Sequence, residues 1–311
     1  MKLLKDVSTK IDSLFENGIT KGKYLGFPSL HDYYSFKPQS TTYIYGSPFS
    51  GKTEIWFEML MNLSEFYGMR HAIYTPESGS PSEIYAELIS KYCRKPFYKN
   101  IPGHMTETEM LSAKDFVGEY FYVIDNEEDL TIEGFFDKVK EIEKFTDKKI
   151  DTTCCDPFNE LKHNFDDMRQ DLYIENKLGY IRTEARKNNR HNVIITHSAA
   201  QQPILKDGKT FYPPPSPRQI SGGLAWHRKA MNLVCIWRPI AGSLDEQGQP
   251  YLENEVHFIV QKYKPKGVGK LGKVVLFYDQ YSGRYYERNG LEKTFAKKEQ
   301  PTQTTIPNYP F

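Results

Sequence analysis

The clearest chemistry in the sequence lies in Gly46-Ser47-Pro48-Phe49-Ser50-Gly51-Lys52-Thr53. The stretch reads G-x-x-x-x-G-K-T, the Walker A or P-loop pattern. Its glycines allow a backbone nest whose N–H groups point at phosphate oxygens. Lys52 would reach the outer phosphates as a point charge, and the Thr53 hydroxyl would hold a Mg²⁺ that bridges them. Three more residues sit where strands end. Asp156 closes an extended segment about 100 residues further on, where a second carboxylate of a Mg²⁺ shell belongs. Asp151, the competing acid, opens that segment and would lie far from the phosphates. Glu77 ends the strand after the P-loop helix, where a carboxylate would orient and deprotonate an attacking water. His197 ends a later strand, where it would sense the γ-phosphate. Taken singly, Glu77 is equally a turn cap and His197 equally a structural histidine.

The elements that must position these residues are legible from pattern. Thr42-Tyr43-Ile44-Tyr45 is β-rich, and Glu54 to Met69 runs without Pro or Gly until Gly68, so strand and helix flank the P-loop. His71 to Glu77 reads as a strand. Ser80-Pro81-Ser82-Glu83 has capping-box spacing with Pro at the first helical position, and predicts a helix to Cys93. Thr106 to Glu109 repeats the signal. Strands are predicted at 120–124, 150–155 and 192–196, and helices at 131–145 and 172–186. This alternation implies a mostly parallel sheet covered on both faces. Further strands at 232–237, 255–261 and 273–277 read as an added antiparallel edge. Leu3, Leu4, Val7, Ile11, Leu14 and Phe15 fall at helical spacing in an opening amphipathic helix. That helix packs either on its own domain or on a neighbouring subunit. The expected organisation is this helix at 1–18, one domain at 19–290 and a disordered, Pro-rich tail at 291–311.

Composition narrows the function classes. The chain has 311 residues, enough for one large α/β domain, and a formal charge of +1. A nucleic-acid partner would therefore need local basic loops, since overall charge gives no attraction. The four cysteines include the adjacent pair Cys154-Cys155 in a predicted strand, where neighbours point to opposite faces. That is neither a disulfide nor a zinc pattern, and free thiols fit a reducing compartment. No signal peptide or membrane-length apolar run is present, which predicts a cytoplasmic protein without membrane partners.

In motif order, the chain resembles the RecA-like ATPase domain of DnaB- and Twinkle-type hexameric replicative helicases, phage members included. The resemblance covers roughly 18–283. It rests on the P-loop with proline in third position, Thr75-Pro76-Glu77, Asp156-Pro157-Phe158-Asn159-Glu160 and Thr196-His197. It continues through Ile220-Ser221-Gly222-Gly223-Leu224-Ala225-Trp226, Trp237-Arg238, Lys262-Tyr263-Lys264 with Gly267 and Gly269, and Tyr278-Asp279-Gln280-Tyr281-Ser282-Gly283. The fold class it implies is a RecA-like α/β P-loop NTPase.

The resemblance also implies roles. Glu77 is the catalytic base and His197 the γ-phosphate sensor. Arg238 and Tyr278 contact the base. Lys262 and Lys264 reach a neighbouring subunit's nucleotide. Two segments, 162–170 and 202–229, face single-stranded DNA, with Lys206, Lys209, Arg218, Arg228 and the Gly222-Gly223 amides as phosphate contacts. The implied cofactors are ATP or another NTP with Mg²⁺. The implied assembly is a homo-oligomeric, hexameric ring on single-stranded DNA, with a separate primase or loader, in a bacterial cell or phage-infected host. Three residues depart from the pattern. Lys264, or nearby Lys266, stands where an arginine finger is expected, and lysine lacks the planar fork. Met231 replaces an acid, and Phe49 a common glycine. Two other classes stay open, a RecA-like recombinase or mediator and a non-motor regulatory or helicase-loading ATPase.

Overall fold

The structure is a computed structural model. It describes residues 3–298 apart from 126, 128, 167, 200–202, 207–208 and 246, with backbone only at 206, 209 and 210. In chain order the elements are α1 (Ser8–Asn17), α2 (Pro28–His31), β1 (Ser40–Gly46), α3 (Lys52–Tyr67), β2 (His71–Tyr74), α4 (Pro81–Cys93) and α5 (Glu107–Tyr120). Then follow β3 (Phe121–Val123), α6 (Ile132–Thr146), β4 (Thr152–Cys155), α7 (Gln170–Lys187), β5 (His191–His197), β6 (Ile204–Lys206) and β7 (Lys209–Phe211). The chain continues through α8 (Leu224–Lys229), β8 (Asn232–Trp237), β9 (Glu255–Lys262), β10 (Gly272–Asp279), β11 (Arg284–Asn289) and β12 (Glu292–Phe295).

Among the described residues, ten strands form one sheet in the order β12-β11-β10-β9-β8-β1-β5-β4-β2-β3. The half from β8 to β3 is parallel, and β8 to β12 pair antiparallel. The mostly parallel α/β architecture with an antiparallel C-terminal edge is thus the one expected, with two corrections. β8 lies parallel beside β1, so it joins the core sheet and not the added edge. The edge runs on through β11 and β12, so the expected tail does not begin at 291. Ala296 is buried and the Lys297 amide donates to the Gly26 carbonyl. Residues 299–311 of the expected tail lie outside the described residues.

Strand alternation sends side chains into two cores. Ile44, Ile73, Cys154, Ile195 and Val234 face α3, α4 and α5. Tyr43, Tyr45, Tyr74, Cys155 and Ile194 face α6, α7 and α8. α3 is apolar on most of its surface because it lies beneath other elements. Trp56, Phe57, Met59, Leu60 and Leu63 are fully buried, each stabilising by about 1.5–3 kcal/mol. Its end is set by Gly68, left-handed at φ 62°, whose amide donates to the Ser64 carbonyl. Both predicted capping boxes, Ser80/Glu83 and Thr106/Glu109, start their helices. No residue of α1 is buried; Leu14 and Phe15 are exposed, so this helix does not pack on its own domain.

Candidate nucleotide site

The P-loop leaves β1 at the carboxyl end of the parallel strands, where open α/β sheets bind ligands. Gly46 has no room for a side chain. A Cβ there would lie 2.2 Å from the Ile236 carbonyl oxygen and 2.7 Å from Ser50 Oγ. Gly51 precedes α3 at φ 82°, a conformation favouring glycine. Phe49 also takes a left-handed φ, 59°, with its ring 97% exposed. The loop thus tolerates Phe where Gly is common because the side chain points away from it. The first amides of α3 have no partner within the helix and face the loop, an anion-binding arrangement.

Five expected side chains converge at this end of the sheet. Thr53 Oγ1 donates to Asp156 Oδ2 at 2.5 Å. Glu77, in a 3-10 turn after β2, accepts from His197 Nε2 at 2.9 Å. Lys52 Nζ donates to the Ser47 carbonyl at 3.0 Å, folded over the loop it would share with phosphates. Burial pushes the Asp156 carboxyl up to about 6, against the Thr53 hydrogen bond and the Lys52 charge. Burial lowers the Lys52 ammonium, against the opposing charges of Asp156 and Glu77. The hard oxygens of Thr53 and Asp156 in direct contact fit a Mg²⁺ shell, and the side-chain-free cradle at Gly46 and Gly51 fits a triphosphate. Asp151 lies at the other end of β4, accepting from the Arg70 amide at 3.0 Å.

Asn159 was not among the expected residues. Its Oδ1 accepts from Thr196 Oγ1 at 2.8 Å and from the His197 amide at 3.5 Å. It ties the segment after Asp156 to the end of β5. A cavity of about 160 Å³ lies beside it, lined by Phe158, Thr196, Ser221 and Trp226 among others. Trp226 donates to the Ser221 carbonyl at 2.8 Å and packs edge-on to Tyr43 and Phe158.

Arg238 and the Tyr278 turn meet at Asn254, also unforeseen. Its Oδ1 accepts from Arg238 Nη2 at 3.3 Å and from Gln280 Nε2 at 3.4 Å, and its carbonyl from the Tyr278 amide at 2.9 Å. Tyr278 is half-buried, under the Lys91 ammonium and tilted against Tyr285. The Tyr285 hydroxyl in turn lies 3.5 Å from the Gly51 carbonyl. Asn159 stands inside the Asp156–Glu160 motif without an assigned role, and Asn254 lies in no motif and shows only a left-handed φ of 63°.

Lys262 and Lys264 are not brought to this site. Lys262 pairs with Leu233, and its Nζ caps the end of α8 at the His227 and Arg228 carbonyls, 2.5 and 3.2 Å away. The Lys264 amide donates to Asn232 Oδ1. Asn232 opens β8 and Ile236 lies beside Gly46, so about 13 Å of strand separates the two ends. Both lysines therefore lie beyond reach of their own P-loop.

The described residues of the long segment after β5 include regular elements. They are the β6–β7 hairpin, a 3-10 turn at Pro217–Gln219 and α8. Arg218 is exposed in that turn. Gly222 and Gly223 have φ 83° and 57°, but the Gly223 amide already donates to the Ile220 carbonyl at 2.7 Å. That amide is not free for phosphate. Arg228 sits on α8, 3.7 Å from Glu175 of α7, and not at a loop tip. The side chains of Lys206 and Lys209 lie outside what is described.

No protein-family model matches the chain. It is 26% identical over 290 residues to the Twinkle homolog protein, chloroplastic/mitochondrial, of Arabidopsis thaliana. The match takes in 90% of this chain but 39% of that protein, so the chain spans about two fifths of its relative. Its fold is that of a solved ATPase domain, with TM-score 0.72 and 15% identity over 92% of this chain and 98% of the other. A DnaB-like replicative helicase, solved in a study of its interactions with primase, superposes with TM-score 0.70 and 16% identity, covering 91% and 67%. The resemblance to DnaB/Twinkle-type helicase domains thus holds in sequence and in fold. Among the described residues no helix is long and apolar enough to cross a membrane.

Proposed function

We propose that this chain is the motor domain of a ring-forming DNA helicase that hydrolyses a nucleoside triphosphate to move along single-stranded DNA. The observation that carries the reading is the Glu77–His197 hydrogen bond beside the Thr53–Asp156 contact. It joins a base to a sensor whose strand leads into the proposed DNA segment. Lys52 and the α3 amides would hold the triphosphate, and Thr53 and Asp156 would hold Mg²⁺. When bound, Mg²⁺ neutralises phosphate charge and fixes the phosphate geometry. Glu77 would accept a proton from water aligned with the γ-phosphate. His197 would exchange its Glu77 partner for the γ-phosphate, and β5 and Asn159 would pass that change to the segment after β5. Arg238 and Tyr278 would contact the base.

Lys262 and Lys264, at the far end of the sheet, would serve the nucleotide of the adjacent subunit, which makes a ring the working form. The expected ring is a homohexamer, with a separate primase or loader, in a bacterial or phage-infected cytoplasm. Exposed Leu14 and Phe15 on α1 suit a helix that docks on the next subunit. The lysine in place of an arginine finger favours a second reading, a slower regulatory or loading ATPase. Unwinding of a forked duplex with ATP and Mg²⁺, alongside electron microscopy with a non-hydrolysable analogue, tests the choice. Rings that unwind support the motor; rings that hydrolyse without unwinding support the second reading; filaments contradict both.

A further inference from the structure

Lys91, on α4, has its side chain 1% exposed and its ammonium enclosed by four groups. Nζ lies 2.5 Å from Glu54 Oε2, 2.7 Å from the Gly283 carbonyl and 4.0 Å from Glu87 Oε1, and 5.8 Å from the centre of the Tyr278 ring. Glu54 follows Thr53 in the first turn of α3. Gly283, at φ 63°, closes the turn that Tyr278 opens. Burial alone would lower the Lys91 ammonium, but the Glu54 and Glu87 carboxyls hold it above its ordinary value, so it stays charged.

The same turn is gripped from its next residue. Arg284 donates to Glu58 Oε2 at 2.6 Å, to Asn62 Oδ1 at 2.7 Å and to the Lys91 carbonyl at 3.0 Å. Glu58 and Asn62 lie on α3 with Glu54, so two buried cations bind one turn to one helix. The Lys91 contacts are to the side chain of Glu54, whereas Lys52 and Thr53 turn toward Ser47 and Asp156. The network therefore joins the P-loop helix to the Tyr278 side of the site without entering the phosphate cradle.

Resting on the reading of Tyr278 as a base contact, we propose that Lys91 is a positioning residue. It holds the Tyr278–Gly283 turn against the P-loop helix, so affinity for the nucleobase depends on it and affinity for the triphosphate does not. Binding of ATP and of inorganic tripolyphosphate, each with Mg²⁺, is measured by calorimetry on the parent protein, Lys91→Met and Lys91→Met/Glu54→Gln. Losing one partner of a buried pair strands the other charge. The double variant avoids this for the closest pair, because it removes the Glu54 charge together with the Lys91 ammonium.

ATP affinity is expected to fall at least about fivefold in both variants, the lower end of what a base–aromatic contact contributes, with tripolyphosphate affinity changed less than about twofold. Equal losses for both ligands, or unchanged ATP affinity in a folded variant, would overturn the proposal. Unfolding of the double variant would do the same, since it would make the network structural only. A parent protein that binds ATP no more tightly than tripolyphosphate would remove the base-contact reading itself and the proposal with it. A parent protein that binds neither ligand would instead sink the nucleotide-site reading beneath both.

Discussion

Glu77→Gln separates catalysis from folding. The Glu77 side chain is 56% exposed, and the contact that ties it to His197, the proposed sensor, is a 2.9 Å hydrogen bond. A glutamine carbonyl can accept the same hydrogen bond, so the sensor link survives and only the charge and basicity are lost. Stability should change by no more than about 0.5 kcal/mol, the usual range for such a surface site. Turnover should fall about 10²–10⁴-fold, the contribution of a positioned general base, equivalent to about 3–5 kcal/mol of barrier. Phosphate release at saturating ATP and Mg²⁺ measures the first effect, and thermal melting with nucleotide binding the second. Turnover within about threefold of the parent protein would remove Glu77 from the role.

Two further outcomes follow from other parts of the fold. Burial holds the His71 imidazole near a pKa of about 3 and His191 near about 4. Both lie below the unfolded value of about 6.5, so their stabilising effect is full above that pH and is lost as pH falls toward the folded values. Between pH 7.5 and 5 each should remove about 2 kcal/mol, read by urea unfolding at the two pH values; a flat profile would contradict it. Gly46→Ala should drive a Cβ into the Ile236 carbonyl 2.2 Å away and splay β1 from β8. Nucleotide binding should be lost and stability lowered by about 1–3 kcal/mol, the range for overpacking. Normal affinity for ATP in a folded Gly46→Ala protein would argue against the cradle.

The site was legible where chemistry and chain punctuation coincide. Gly46, Glu77, Asp156 and His197 each follow or end a β-rich run, and their strands are parallel neighbours, so their ends gather at one edge. The helix starts at Ser80 and Thr106 were legible because a capping box is a local event. What escaped depends on distant pairing. β8 reads like a hairpin strand, and only its register with β1 makes it part of the parallel core. β12 is a polar edge strand, and β11 buries three consecutive residues, Arg284, Tyr285 and Tyr286, so neither shows alternation. α8 has six residues, too few for a period. Asn159, Asn254 and Lys91 are ordinary residues whose partners lie far along the chain.

The central claim, a nucleotide bound between subunits, rests on Lys262 and Lys264 lying at the far end of the sheet from their own P-loop. Mixing Lys264→Ala chains with Lys52→Ala chains tests it directly. Each parent assembly should be nearly inactive. In a random equal mixture, about a quarter of interfaces in a closed ring would pair an intact P-loop with an intact Lys264. ATP hydrolysis in the mixture should therefore rise well above either parent. No gain at any mixing ratio would contradict the account.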